Sequence, residues 1–173
     1  EGDTNYHSVS AVVTVTVNKA APPEVVFPSA GALTYGQTLS DSELTGGSGD
    51  GTFAWEDSST VPTVKNGGYA VVFTPNDTEN FDYTDVVLTR NVEIQVNKAS
   101  LAVTFPTAEE TTYGQPLSDS ALTGGSGDGT FSWENPTTIP TVVNSGYPVV
   151  FTPSDTDNYL TVSQIVDLSV QKA

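Results

Sequence analysis

Short runs of alternating apolar and polar residues recur along the chain, separated by segments rich in Gly, Pro, Asn, Asp and Ser. Alternation with a period of two predicts strands that bury one face, and the intervening residues favour turns. In the first half, the predicted strands are Glu24–Phe27, Thr52–Glu56, Val61–Val64, Tyr69–Thr74 and a last strand with Leu88, Arg90, Val92, Ile94 and Val96 on one face. In the second half they are Leu101–Phe105, Thr130–Glu134, Ile139–Val142, Tyr147–Thr152 and a last strand with Val166, Leu168 and Val170 on one face. The pattern predicts all-β modules, each a small sandwich or barrel.

Two features of this pattern need separate interpretation. Leu39–Leu44 and Leu117–Leu122 are rich in Ser and Asp and fit either a short strand or one helical turn, and the sequence does not decide between them. Pro148 lies inside a predicted strand. Because proline has no N–H to donate, it favours an edge strand or a strand start at that position.

The chain contains the same module twice. The segment Thr45–Phe53 reappears unchanged as Thr123–Phe131, with four glycines that suit a tight loop before a core strand. The match extends over Tyr35–Phe81 and Tyr113–Tyr159, with about three quarters of the positions identical. The first copy then carries four extra residues before its last strand. Self-similarity of this kind predicts a tandem array.

The endings of the copies set the boundaries of the repeats. Val96–Ala99 and Val170–Ala173 are similar, and residues 3–20 match residues 155–173. We therefore expect residues 1–20 to be the terminal strand of a preceding, truncated repeat. Residues 21–99 form repeat 1 and residues 100–173 form repeat 2. The chain has neither an initiator Met nor a signal peptide, so we expect a fragment of a longer protein.

The link between the two repeats is short. Only four residues separate Val96 from Leu101, which is too few for an independent flexible linker. A last strand of about 12 residues gives each repeat a length of about 40 Å. The sequence predicts an extended rod with limited bending, in which each repeat has its neighbour as a partner.

The charge and residue composition argue against several classes of function. Five Lys and Arg against 21 Asp and Glu leave a net charge of −16, which argues against a nucleic-acid partner and against anionic membranes. No window approaches the ~18 apolar residues of a membrane span. The absence of Cys and the single His nearly exclude thiol nucleophiles, zinc sites and histidine bases.

Several motifs together resemble a known kind of repeat. Each copy has Tyr-Gly-Gln, then Leu-Ser-Xaa-Ser-Xaa-Leu-Thr, Gly-Thr-Phe-Xaa-Trp and Val-Val-Phe-Thr-Pro-Xaa-Asp-Thr-Xaa-Asn followed by Phe or Tyr. This pattern is similar to the tandem MBG-type (YGX) and bacterial Ig-like repeats of large secreted and surface-attached bacterial proteins. The resemblance implies an extracellular location and two small Ig-like β-sandwich modules. The alternative fold is β-grasp-like, with Leu39–Leu44 as a short helix.

The resemblance also implies a function. Such repeats serve as stalks or spacers that present another domain, with a contribution to adhesion. The competing function is a true binding module for a glycan or a host surface protein. Exposure of Trp55 and Trp133 would favour that alternative, because exposed rings bind sugars. We expect both rings to be core residues instead, since each shares a strand face with a phenylalanine.

The acidic loops are the best candidates for a cofactor, which would be calcium. The candidate ligands Asp77, Glu79, Asp155 and Asp157 lie in polar turns, with Asp82 and the loop residues Asp50 and Asp128 near them. Calcium takes 6–8 oxygen ligands, and such loops can supply them. Aspartate in Asp-Thr turns also bonds its own backbone, and we favour that structural role over any metal or cofactor.

Catalysis is not expected. Carboxylate pairs of the kind that hydrolyse glycosides are available by residue type, but the modules are too small for a deep cleft. Lys19, Lys98 and Lys172 recur at the ends of the repeats, where an isopeptide bond is one interpretation. We favour solvated residues at the joint, because Lys98 lies beside polar Asn97. We therefore predict that the protein is not an enzyme.

The terminal segment Ala11–Val17 has the pattern of a strand with an apolar stripe. Such a strand can hang free, dock on repeat 1 or pair with another molecule at a sheet edge. Docking on repeat 1 requires a reversal near Pro22 and Pro23, which are stiff. We therefore predict that Val12–Val17 pairs with a second chain.

Overall fold

A computed structural model describes residues 9–173 of the chain. Among these residues there are strands and short 3-10 turns but no α-helix, so the predicted β-rich class is confirmed. The strands of repeat 1 are β1 (Ser29–Ala30), β2 (Leu33–Thr34), β3 (Leu44–Thr45), β4 (Gly51–Trp55), β5 (Tyr69–Pro75), β6 (Thr89–Val92) and β7 (Val96–Asn97). Those of repeat 2 are β8 (Thr107–Ala108), β9 (Thr111–Thr112), β10 (Leu122–Thr123), β11 (Gly129–Trp133), β12 (Tyr147–Pro153), β13 (Val162–Val166) and β14 (Val170–Gln171).

The largest sheet of each repeat has three antiparallel strands. In repeat 1 the order is β4-β5-β6, and in repeat 2 it is β11-β12-β13. Phe53 lies opposite Phe73 and Phe131 lies opposite Phe151, so the aromatic residues pair across the strands. The two rings of each pair are 4.8 and 5.0 Å apart. The alternation read from the sequence is what places these residues on one face.

Two smaller pairings complete each repeat. β1 pairs antiparallel with β3, whereas β2 pairs parallel with β7, and repeat 2 shows the same arrangement for β8 with β10 and β9 with β14. The parallel pairing brings the beginning and the end of a repeat to the same sheet edge. The last residues of each repeat therefore lie beside the early strands of the same repeat. In repeat 1, the chain enters repeat 2 from this position.

The core of each repeat lies under these strands. Of the face predicted for the last strand of repeat 1, Val92, Ile94 and Val96 are buried. Arg90, which was predicted on the same face, is exposed, so the prediction is wrong at that residue. In repeat 2, Val166, Leu168 and Val170 are buried as predicted. Neither predicted last strand is continuous: it is interrupted between β6 and β7 in repeat 1 and between β13 and β14 in repeat 2.

Steric crowding explains the second glycine of each Gly-Asp-Gly loop, Gly51 in repeat 1 and Gly129 in repeat 2. A Cβ added to Gly51 would lie 2.3 Å from the carbonyl oxygen of Thr74 and 2.6 Å from the ring of Phe73. At Gly129 the corresponding oxygen, of Thr152, is also 2.3 Å away. A side chain at either position would therefore displace backbone or a buried ring, and only glycine fits.

The opening strands were predicted too long. Glu24–Phe27 and Leu101–Phe105 make only single bridges, Val26 with Ser48 and Thr104 with Ser126. The ladder resumes in the same register at β1 and β8. The interruption falls at Pro28 and Pro106, because proline has no N–H for the ladder.

The predicted strands Val61–Val64 and Ile139–Val142 are wrong, since both segments are loops. Pro62 and Pro140 are fully buried there, and neither can donate to a ladder. In repeat 1 the loop is held by side chains instead. The N–H of Thr63 donates to the Tyr69 hydroxyl at 3.3 Å, and the Asn66 amide donates to the Thr63 carbonyl at 2.9 Å.

The two open points are also settled. Leu39–Leu44 contains both elements, a 3-10 turn over Leu39–Asp41 and then the start of β3, and repeat 2 repeats this with a turn over Leu117–Asp119. Pro148 lies in the central strand β12, so the edge interpretation is wrong, but it is the second residue of that strand. The neighbouring strand β11 ends at Trp133, and beyond it Glu134 donates its N–H to the Pro148 carbonyl at 3.0 Å, a bond in which proline is the acceptor and needs no N–H.

Candidate functional site: the joint between the repeats

The loop after β12 has an internal scaffold that its sequence explains. Asp155 accepts hydrogen bonds from the backbone N–H groups of Asp157 and Asn158, both at 3.2 Å, and from the Asn158 side-chain amide at 2.8 Å. The amide of Asn158, followed by these backbone groups, lowers the pKa of Asp155 below its usual range because the bonds favour the ionised form. We call residues 155–160 the joint loop of repeat 2.

This joint loop binds the closing residues of repeat 1. The N–H of Ala99 donates to the Asn158 carbonyl at 3.0 Å, and the N–H of Leu160 donates to the Ala99 carbonyl at 2.9 Å. These bonds make Ala99 a parallel bridge partner of Tyr159. Beside it, the Lys98 ammonium donates to the Thr156 carbonyl at 2.6 Å. The connecting segment is therefore bonded through Lys98 and Ala99 to the repeat that follows it.

The same loop also reaches the body of repeat 1. The N–H of Val64 donates to Asn158 Oδ1 at 2.9 Å, so this one side chain bonds Asp155 in its own loop and Val64 in the other repeat. Asn158 is only 9% exposed, and burial makes its hydrogen bonds costly to lose. The loop over residues 61–64, which was predicted as a strand, is thus part of the joint.

Two further contacts flank this bond. The rings of Tyr35 and Tyr159 meet edge to face, with centroids 5.2 Å apart and planes at 90°. Such aromatic pairs are worth about 0.5–1.5 kcal/mol beyond the area they bury. Lys65 Nζ lies 2.6 Å from Asp157 Oδ1, but both side chains are well exposed, so this ion pair is worth at most about 1 kcal/mol.

Repeat 1 has an equivalent joint loop, residues 77–82, and it binds the terminal segment in the same way. The N–H of Ala20 donates to the Asn80 carbonyl at 2.8 Å, the N–H of Asp82 donates to the Ala20 carbonyl at 2.9 Å, and the Lys19 ammonium donates to the Thr78 carbonyl at 2.7 Å. Asn80 itself is exposed, whereas its counterpart Asn158 is buried. The backbone pattern is therefore a property of each repeat, and it appears twice.

The terminal segment makes no strand in the described part, residues 9–19. Val12 is 99% exposed, and Val13, Val15 and Val17 are also exposed. The predicted pairing of Val12–Val17 with a second chain stays a prediction. The predicted match of residues 3–20 to residues 155–173 falls partly outside the described residues, because residues 3–8 are not among them.

Three of the four calcium candidates, Asp77, Asp155 and Asp157, have other partners. Asp77 and Asp155 accept bonds from their own loops, and Asp157 pairs with Lys65. Asp50 accepts from the Asn76 amide and Asp128 from the Ser154 hydroxyl, so both hold the neighbouring turn. Within residues 9–173 no three His, Asp or Glu side chains are grouped as a metal site would need. The turn role predicted for Asp77 and Asp155 is observed.

The tryptophans lie where the core interpretation placed them. Trp133 is 6% exposed and Trp55 is half-buried, and both pack on the apolar clusters of their repeats. Their indole N–H groups donate to the carbonyls of Ser120 and Ser42, at 3.0 and 3.3 Å. Their packing on the apolar clusters and their bonded N–H groups favour the core role over that of an exposed platform for sugar.

The recurrent lysines lie at the joints, as predicted. Lys98 and Lys19 are exposed, but each bonds a main-chain carbonyl of the following joint loop, a role that the sequence interpretation missed. The roles of Asn158, Thr156 and Val64 were also missed. The signal was available: a Lys-Ala ending and an Asp-Thr-Xaa-Asn-aromatic loop both recur in every copy near its boundaries.

Comparison with known proteins gives no match, whether to a family model, to a curated protein or to a solved structure. Across residues 9–173, no helix has the length and apolar character needed to cross a bilayer.

Proposed function

We propose that this chain consists of structural spacer repeats from a large bacterial extracellular or cell-surface protein, of the MBG-type or Ig-like kind. The repeats hold another domain at a distance and contribute to adhesion through their surfaces. The observation that carries the proposal is the joint. Backbone bonds at Ala99, a buried side-chain bond at Asn158 and a ring contact at Tyr159 all limit bending. A spacer needs this resistance to bending, whereas an independent pair of binding domains does not.

The proposal assigns a reduced Ig-like sandwich to each repeat. The antiparallel β1–β3 pair, the parallel β2–β7 pair and the β4-β5-β6 sheet fit an opening strand that is shared between two sheets. A β-grasp arrangement needs a helix packed on its sheet. Within residues 9–173 the only helical element of the corresponding segment is the three-residue 3-10 turn Leu39–Asp41, which favours the sandwich.

Small-angle scattering of the full chain tests the spacer function. The expected result is an elongated particle whose longest dimension is near that of two repeats placed end to end. Its dimensions should change little with salt, since the exposed ion pair is the weakest contact of the joint. A compact particle, or one whose dimensions require free hinge motion, would overturn the proposal.

A second candidate function is binding of a glycan or host surface protein, and one observation favours it. An open groove of about 620 Å³ in repeat 1 has a mainly apolar wall that includes Pro22, Phe27 and Val87, with Arg90 at its side. Part of the groove belongs to the segment that is longer in repeat 1. A glycan or cell-surface binding screen that loses its signal in Arg90→Ala and Val87→Asp variants would support this function. Unchanged signal in both variants would exclude the groove.

A further inference from the structure

The end of repeat 2 repeats the surface by which repeat 1 enters the joint. We define the distal face as Tyr113, Val142, Val143, Lys172 and Ala173. By sequence, these residues correspond to Tyr35, Val64, Lys65, Lys98 and Ala99 of repeat 1. The distal face is open: Tyr113 is 53% exposed, Val142 39% and Val143 89%. The same positions in repeat 1 are where the second joint loop binds.

The distal face differs from the corresponding face of repeat 1 in that no joint loop within residues 9–173 lies against it. Tyr35 is half-buried beneath Tyr159, and the Val64 N–H is bonded to Asn158. On the distal face the equivalent tyrosine is exposed. The backbone around it is the same: Thr141 donates its N–H to the Tyr147 hydroxyl and Asn144 bonds the Thr141 carbonyl, as Thr63 and Asn66 do in repeat 1. The distal face is therefore built in the conformation that accepts a joint loop.

We propose that the distal face binds the Asp-Thr-Xaa-Asn-aromatic loop of a further repeat of this kind. The Lys172 ammonium donates to the Thr carbonyl of that loop, Ala173 takes the place of Ala99, and the loop Asn accepts the Val142 N–H. The aromatic residue packs on Tyr113. This inference rests on the proposed spacer function and names its partner.

One residue difference distinguishes the distal face from the corresponding face of repeat 1. Val143 stands where repeat 1 has Lys65, so the distal face has no counterpart of the Lys65–Asp157 ion pair. The loss is small because that pair is exposed. Val143 adds apolar surface instead. The bonds to Lys172, Ala173 and Val142 do not depend on this position.

A second copy of the chain is a poorer occupant than a repeat that follows in the same chain. The first joint loop of any copy already holds its own Lys19 and Ala20. To dock, Lys172 and Ala173 of another molecule must displace them, against the high local concentration of the attached segment. The occupant is therefore a repeat whose joint loop has no competing segment of its own.

The test uses the full chain extended by a second copy of residues 21–99 after Ala173, with amide exchange followed by NMR. Val142 lies outside the duplicated segment, so its amide gives a single signal, and this signal reports the new joint. Leu160 also lies outside that segment, and its amide reports the existing joint. We expect exchange of the Val142 amide to slow by about tenfold or more relative to the unextended chain. Asn80→Ala in the added copy alone should remove most of that protection.

The outcomes are distinguishable. An unprotected Val142 with a protected Leu160 overturns this inference and leaves the spacer function standing. Rapid exchange of both amides in folded repeats overturns the spacer function as well. Protection of Val142 that appears in the unextended chain and rises with concentration identifies a second copy as the occupant, which contradicts binding of a following repeat.

Discussion

The two joint loops have the same sequence logic but different surroundings. Both hold a Lys-Ala segment through two backbone bonds and one ammonium–carbonyl bond. Only the second also meets the body of a neighbouring repeat, and there Asn158 is buried and bonded to Val64, while Asn80 remains exposed. The backbone bonds therefore need only the connecting segment. The side-chain contacts need a whole repeat on the other side.

The comparison assigns different tasks to the two layers of contact. The backbone bonds set where the segment enters the next repeat. The side-chain layer, through Asn158 and Tyr159, sets the angle between the two bodies. Variants that affect one layer and spare the other can separate these tasks.

The largest expected effect comes from a core substitution that destabilises one whole repeat together with its joint loop. Trp133→Ala empties a packed aromatic site in repeat 2, and we expect a loss of about 3–5 kcal/mol in the free energy of unfolding of that repeat. The first joint loop should keep its protected Ala20 amide. Chemical denaturation followed by NMR measures both. The matched variant Trp55→Ala should destabilise repeat 1 and leave repeat 2 folded. Unchanged stability in both variants would contradict the placement of the two rings in the cores.

A matched asparagine pair separates the two layers. Asn158→Ala leaves the Val64 N–H without its acceptor at the joint, and we expect a loss of about 1–3 kcal/mol. Asn80→Ala removes the same bond within the loop, to Asp77, but no bond to another repeat. Its effect on stability should therefore be smaller. Equal effects of the two substitutions in urea denaturation would show that the Val64 bond adds nothing.

Acid should loosen both joint loops. Hydrogen bonds hold the pKa of Asp77 and Asp155 below the usual range. A depressed pKa contributes stability that is complete above the pKa of the unfolded chain and is lost as the pH falls through the folded-state pKa. We expect the Ala99 and Ala20 amides to lose protection below about pH 4, after correction for intrinsic exchange. Asp155→Asn should make the second loop insensitive to this change while the first still responds.

The exposed ion pair gives the smallest effect. Lys65→Ala should cost less than about 1 kcal/mol, and added salt should reduce the difference between the variant and the parent chain. The change matches the natural difference at Val143 in charge. A loss well above this range would mean that the ion pair, rather than Asn158, dominates the joint.

Sequence patterning predicted the interior better than the joint. Phe53 and Trp55 are two positions apart, as are Val92 and Ile94, and this local spacing places each pair on the inward face. Pro28 and Pro62 interrupted predicted strands because their missing N–H groups outweigh the apolar pattern around them. The opening strands and the loop at residues 61–64 were mispredicted for this reason.

The contacts of the joint could not be predicted from the sequence because they join residues that are distant along the chain. The Lys98–Thr156 bond joins residues 58 apart, and the Val64–Asn158 bond joins residues 94 apart. Recurrence marked the Lys-Ala ending and the Asp-Thr-Xaa-Asn loop as special, but it did not say that one binds the other. The shortness of the linker predicted a constrained joint without giving its partners.

Residual dipolar couplings of the full chain test the central claim most directly, since they report the relative orientation of the two repeats. The joint described here predicts that a single alignment tensor fits the amides of both repeats, and that Asn158→Ala weakens this agreement while Asn80→Ala does not. Two tensors of clearly different magnitude in the parent chain, with both repeats folded, would show that the repeats move independently and would contradict the account.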